Sequence, residues 1–390
     1  MNQTTLELDA SHRAVSIDRD GFDIGWDHAH HGLVPPAGLL LAGTPVCQGW
    51  MAGKAVFGHR TLGCTPHTRQ WLQLRMNAWR LGIAFERQQL TPNYLAQIQA
   101  TRCPVTRQLL QGAPNQADTL VVARLNAQAG YAAGNLAVMS LDATRAWDGL
   151  SVQDCARLAH RAAAAGACLP AAAAIVSVTA ASSAEQPAPS LNAAAWWRLA
   201  ALRSFATPLP FAVAAGLPMA VLPPNRVRLL NTVQGLQALL TRGFAAAGWS
   251  ERCRRLAQWL PEHTLRQDFN LFVGAMAPRV LEAGNDPFAL RQALEDAWLN
   301  ERVQRRWQHF ALSLGEAATE TLLARATEAG LAGVRTLHHG REQATDGWAL
   351  PGTAVAVRES ARTPAPRGAA GALAHNRATL RTSSTQAVLC

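Results

Sequence analysis

Apolar positions recur at helical spacing along much of the chain. Leu72, Met76, Trp79 and Ile83 follow one another at steps of four, three and four, with Leu74, Ala78, Leu81 and Phe85 as a second row. Behind the start signal Thr65-Pro66, two such rows predict a helix with a broad buried face. Thr91-Pro92 predicts a second, short helix to about Gln99. From Ala193 to about Gly333 the same period dominates, as in Leu229, Val233, Leu236 and Leu240, or Val303, Trp307, Phe310 and Leu314. Asp286-Pro287 adds another cap with proline at the first helical position.

The pattern changes in two places. Residues 1–62 hold short apolar runs broken by glycine and proline (VPPAGLLLAGTPV), which predicts strands or irregular packing around Trp26 and Trp50. After Cys103-Pro104, the runs TLVVARL and NLAVMS flank a Gly/Asn-rich turn, and a helix follows from about Leu141. The expected fold is therefore α+β and mostly helical. A strand-containing region over 1–62 precedes a helix plus ββα module over 63–167. An Ala/Ser/Pro linker over 168–192 leads to a separate helical domain over 193–333, and residues 340–390 read as a disordered basic tail.

A length of 390 residues with 49% hydrophobic side chains allows several cores and excludes disorder over the whole chain. Net charge is +10, yet 35 of the 36 basic residues are arginine, Lys54 being the exception, and alanine is abundant, as GC-rich coding in a bacterium produces. The positive charge is spread thinly and is densest in the tail, with Arg358, Arg362, Arg367, Arg377 and Arg381. That distribution permits DNA or RNA as a partner without marking a phosphate-binding face. The uncharged run Ser204 to Asn225 contains Pro208, Pro210, Pro218, Pro223 and Pro224, which forbid a spanning helix and predict a buried, turn-rich loop. With no apolar leader at the N-terminus, the expectation is a cytoplasmic protein without a membrane partner. Seven cysteines without a C-x-x-C pair fit reduced thiols and no structural zinc.

Cys103-Pro104, Arg124-Leu125-Asn126, Gly130-Tyr131, Gly134-Asn135, the run Leu136 to Ser140 and the helix after it share a pattern over about fifty residues. This stretch resembles an HNH-type, ββα-metal endonuclease module of bacterial and phage proteins. Relatives read S-x-D-R-I-x-x-x-x-G-Y-x-x-G-N-V-x-V-x-S, and the spacing from Arg124 through Gly130-Tyr131 and Gly134-Asn135 to Ser140 agrees without a gap. Gly130 and Gly134 suit the positive φ angles of a tight loop, Asn135 can bond its backbone, and Tyr131 can pack beneath.

The resemblance implies a magnesium or manganese ion held by a first-strand carboxylate and a helix Asn or His, with a histidine base beside the carboxylate. Those positions are Ala123, Thr144 and Arg124 here, and the usual helix lysine falls at Trp147. Alanine binds no cation, arginine accepts no proton near neutral pH, and a lone threonine hydroxyl is a poor ligand. Asp118 falls on the opposite face of the strand from Ala123, and Asp142 reads as an acidic residue at a helix start.

The expectation is a degenerate copy with no catalytic residues, metal or cofactor, which associates with nucleic acid through the ββα module, Arg124 and Arg145 being the nearest cations. One alternative is an active, metal-dependent HNH DNA endonuclease. The other is a non-enzymatic protein-interaction or structural protein that uses its tryptophan-rich helical domain on an undefined partner. Asp23, Asp27, His28, His30 and His31 are the densest set of possible cation ligands, though they read as an ordinary polar loop, as do His338 and His339. Lys54 after Gly53 lacks the rest of a P-loop. Arg252, Arg254 and Arg255 with Trp249 and Trp259, and Arg302, Arg305 and Arg306 with Trp307, offer phosphate contacts with stacking, or solvated helix faces with i,i+4 ion pairs.

Overall fold

Four helices of the computed structural model begin on the same two residues, an oxygen-bearing side chain at the N-cap and a proline after it. Thr44 accepts from the Cys47 amide, Thr65 from Thr68, Thr91 from Tyr94 and Asp286 from Ala289, each satisfying a donor that the first turn leaves open. These caps start α2 (Pro45–Phe57), α3 (Pro66–Arg80), α4 (Pro92–Gln97) and α12 (Pro287–Ala297). The structure describes residues 18–111, 119–168, 191–282, 284, 286–331 and 344–350. Asp118, His338, His339 and nearly all of the 168–192 linker and the 340–390 tail lie outside them.

Residues 18–30 form helix α1, so among the described residues of 1–62 a helical pair, α1 and α2, stands where strands or irregular packing were expected. Thr44-Pro45 carries the same signal that marked α3 and α4, and the proline-rich run before it masks the signal. The pairing rests on glycine. A Cβ at Gly25 would stand 2.0 Å from the Val46 carbonyl oxygen, one at Gly49 would stand 1.9 Å from that of Phe22, and one at Gly53 would meet Ala29 at 2.7 Å. Only hydrogen at these positions lets the two backbones approach this closely. The pair is tied to α3 by an ion pair from Asp27 to the buried Arg75, and to the segment after α3 by one from Asp23 to Arg87. On α3 the buried face is narrower than the two apolar rows imply: Thr68, Leu72, Arg75 and Ala78 are buried, while Leu81 is 68% exposed.

Strands β1 (Leu120–Arg124) and β2 (Leu136–Ser140) pair antiparallel with Ala123 opposite Ala137 and Arg124 opposite Leu136. Every residue of β2 is buried. Alternation sends Val122, Leu136 and Val138 into a small cluster with Leu90, Tyr94, Leu95 and Ile98 around α4. Ala123, Ala137 and Met139 turn to the other side and join the main core. That core is continuous from Cys103 through helices α5 (Leu141–Ala146), α6 (Val152–Cys168), α7 (Ala193–Phe205), α8 (Phe211–Gly216) and α9 (Thr232–Ala245). It extends through α10 (Trp249–Gln258), α11 (His263–Glu282), α12, α13 (Glu301–Leu314) and α14 (Glu316–Glu328). Contacts gather residues 1–353 into one unit, so the expected boundary between a ββα module and a separate helical domain over 193–333 is not a boundary in packing.

The helical spacings are filled as the sequence implies, with Leu229, Val233, Leu236, Leu240, Val303, Trp307, Phe310 and Leu314 all buried. The proline-rich run after Ser204 is a turn-rich stretch around α8, and Ala214, Met219, Ala220 and Val221 are among its buried side chains. No helix among the described residues is long and apolar enough to cross a membrane. Residues 344–350, expected to belong to the disordered tail, are docked, with Trp348 fully buried.

Gly25→Ala and Gly49→Ala should each lower unfolding free energy by about 2 kcal/mol, the usual scale for overpacking. Gly38→Ala, where an added Cβ meets nothing within 4 Å, should leave the urea midpoint unchanged.

Candidate functional site

The loop between β1 and β2 is closed by one side chain. Asn135 has no exposed surface; its Oδ1 accepts from the Asn126 amide at 2.8 Å, and its Nδ2 donates to the Asn126 and Gly130 carbonyls at 3.1 and 3.0 Å. Asn126 in turn donates its own Nδ2 to the Ala206 carbonyl at 3.0 Å, beyond the end of α7. Gly134 takes φ +91°, which favours glycine. Its amide donates to the Tyr94 hydroxyl at 2.8 Å. Gly130, expected to share a positive φ, is instead a point of close approach, since a Cβ there would stand 2.5 Å from the Ala84 carbonyl oxygen. Tyr131 stacks on Phe85 with ring centroids 6.2 Å apart.

Two partners of this loop come from far along the chain. The Trp348 carbonyl accepts from the Gly130 amide at 2.7 Å, and its indole Nε1 donates to the Ala133 carbonyl at 3.0 Å. The Arg228 side chain crosses Gly134, where a Cβ would stand 2.3 Å from its Cγ, and donates to the Ala344 carbonyl and to Gln89 Oε1 at 2.8 and 2.7 Å.

At the positions where an HNH module holds its metal, the groups are already committed. Ala123 is 6% exposed and sits in the main core with Ala143 and Trp147. Thr144 Oγ1 donates to the Ser140 carbonyl at 3.1 Å, and the Ser140 side chain caps α5. Trp147 lies beneath the Arg203 guanidinium at 5.1 Å. Arg124 donates to the Ala127 and Ala129 carbonyls at 3.1 and 2.6 Å and packs 5.2 Å over the Tyr131 ring, so it braces the loop. Burial pushes the Cys155 thiol up to about 11, which keeps it protonated at neutral pH. Arg145 is exposed and has no ion-pair partner among the described residues.

Cys103-Pro104 opens a tight turn rather than a reactive corner. Cys103 is 1% exposed, and its Sγ accepts from the Ser140 hydroxyl and amide at 3.3 and 3.4 Å. The turn ends on Arg107, a non-glycine residue at φ +62°, which makes two 2.7 Å hydrogen bonds to the Asp296 carboxylate and a 3.3 Å bond to Glu295. Arg198 of α7 also reaches Asp296 at 3.1 Å and bonds the Val105 carbonyl. Desolvation lowers the Arg198 pKa, with the neighbouring Arg107 adding to the effect, and Asp296 offsets it. This network fastens the turn to α12 across nearly two hundred residues of sequence.

The cation-ligand candidates near the N-terminus disperse into structural roles: Asp27 and Asp23 pair with arginines, His28 Nδ1 bonds the Ile24 carbonyl, and His30 stacks on Phe57. Among the described residues no three His, Cys, Asp or Glu side chains converge as a metal site. Arg254 and Arg305 pair with Glu251 and Glu301, and Arg252 binds carbonyls of residues 243–247.

Open space lies on the other side of β2 from Ala123. A cleft of about 400 Å³ is bounded by residues 98–104, Val138 and the start of α12, and a second of about 280 Å³ by α4, Gly134 and residues 226–228. No family model, characterised protein or solved structure matches the chain.

Ala123→Asp with Thr144→Asn, which restores the family's metal ligands in sequence, should lower stability by about 3 kcal/mol or more, because an unpaired carboxylate enters the core. Chemical denaturation checks this, and added magnesium or manganese should not restore the loss.

Proposed function

We propose that the protein associates with nucleic acid and does not cleave it, its HNH-like hairpin serving as a structural element. The observation that carries this reading is the filled metal corner: Ala123, Ala143 and Trp147 are packed against one another in the core, and the Thr144 hydroxyl is engaged by the backbone. Among the described residues, Ala123 and Thr144 bring no carboxylate for a divalent ion and Arg124 brings no base to activate water.

Nucleic-acid association draws support from the surplus of arginine, since cations that neutralise phosphates release counterions and bind without sequence preference. Of the two arginines expected to take that role, Arg145 is exposed with no ion-pair partner among the described residues, whereas Arg124 is occupied by the loop. The reading as a tryptophan-based protein-interaction platform has less to stand on. Trp298 and Trp307 are at most 1% exposed, and Trp196, Trp197, Trp249 and Trp259 are partly buried against the same core.

Anisotropy of labelled single- and double-stranded DNA with the full chain in EDTA should show binding at low salt that weakens steeply toward physiological salt. Supercoiled plasmid should remain intact in magnesium and in manganese. Metal-dependent nicking, or no binding at low salt, would contradict the proposal.

A further inference from the structure

The two clefts adjoin across one hydrogen bond. Asn225 Nδ2 donates to the Gln97 carbonyl at 2.6 Å, and on either side of this bond Asn225 and Ile98 line the 400 Å³ cleft while Arg226 and Gln97 line the 280 Å³ one. In the first, Phe288 is 45% exposed at the start of α12, with the Arg102 guanidinium 5.0 Å from its ring centroid. In the second, Arg226 is exposed and has no ion-pair partner among the described residues, and Arg228 is fixed beside it over Gly134.

The carboxylates nearby are occupied. Glu295 is 4% exposed, with one oxygen accepting from Arg291 and from the Leu222 amide and the other from Arg107. Asp296 is shared by Arg107 and Arg198, Asp286 caps α12, and Glu86 accepts from the amides of residues 88–90. A positive, partly apolar pair of clefts with one accessible aromatic face is left.

Resting on the nucleic-acid reading above, we infer that these adjoining clefts are a track for single-stranded nucleic acid, with a base against Phe288 and Arg102 and the adjoining phosphodiester on Arg226. An aromatic face carrying a guanidinium stacks any base without reading its edge, and arginines set along the path hold the backbone. A duplex keeps its bases stacked inside and cannot offer one to Phe288. The track therefore prefers a single strand, and it lies on the face of the hairpin opposite the one where an HNH module would hold its metal.

The test is anisotropy of fluorescein-labelled oligothymidylate and of a duplex of equal length, titrated with the full chain in EDTA over a range of salt. The wild type should favour the single strand. Phe288→Ala should weaken oligothymidylate binding about ten-fold and leave the duplex within two-fold. Arg226→Ala should weaken both and reduce the salt dependence by about 0.7 in log–log slope, the contribution of one phosphate contact on a single strand. Equal binding of oligothymidylate by wild type and both variants would overturn the track while leaving nucleic-acid association intact. Absence of binding by either oligonucleotide at low salt would remove both. Because both substituted side chains are on the surface, unchanged thermal midpoints would confirm that the variants are folded.

Discussion

A buried amide closes the loop between β1 and β2, and the geometry around it follows from that closure. With Asn135 bonded to both ends of Asn126 and to Gly130, the hairpin can place one side of β2 against α4 and the other against the helices. Asn126 then reaches the end of α7, Trp348 seals the loop from beneath, and Arg228 crosses Gly134. This hairpin is the joint at which distant parts of the chain meet.

This joint gives the alanine at position 123 a physical meaning. In a metal-binding hairpin this position needs charge and water, while here it faces Ala137 across the pair and Ala143 and Trp147 in the core. A small apolar side chain lets the helices come close. The preference for a packed interior and the absence of a carboxylate are therefore one observation. Two open clefts lie around Arg102, Arg226 and Phe288.

Local rules reached the features that depend on local spacing. Caps at Thr65, Thr91 and Asp286, the helical periods around Leu236 and Trp307, and the two apolar runs of the hairpin were all readable, because each depends on neighbours within a turn or two. Thr44-Pro45 carried an equally good start signal, but glycine and proline around it suggested irregular structure, and the glycines turned out to serve a helix–helix contact. What could not be read is long-range. Arg107 and Asp296 are 189 residues apart, and Trp348 and Ala133 are 215 apart. Nothing in the composition of residues 340–390 distinguishes the tryptophan that docks from the chain around it. The domain boundary failed for the same reason, since an Ala/Ser/Pro-rich segment says nothing of whether the parts it joins share a core.

The central claim is that hairpin and helices are one cooperative unit, and native-state hydrogen exchange tests it most directly. The amides of Leu125 and Asn126, bonded to Asn135, should exchange only through global unfolding, with the same opening free energy and denaturant dependence as buried amides of α9. Exchange of the hairpin amides through a cheaper opening that leaves α9 protected would contradict it, and would return the ββα unit to the status of an independent module.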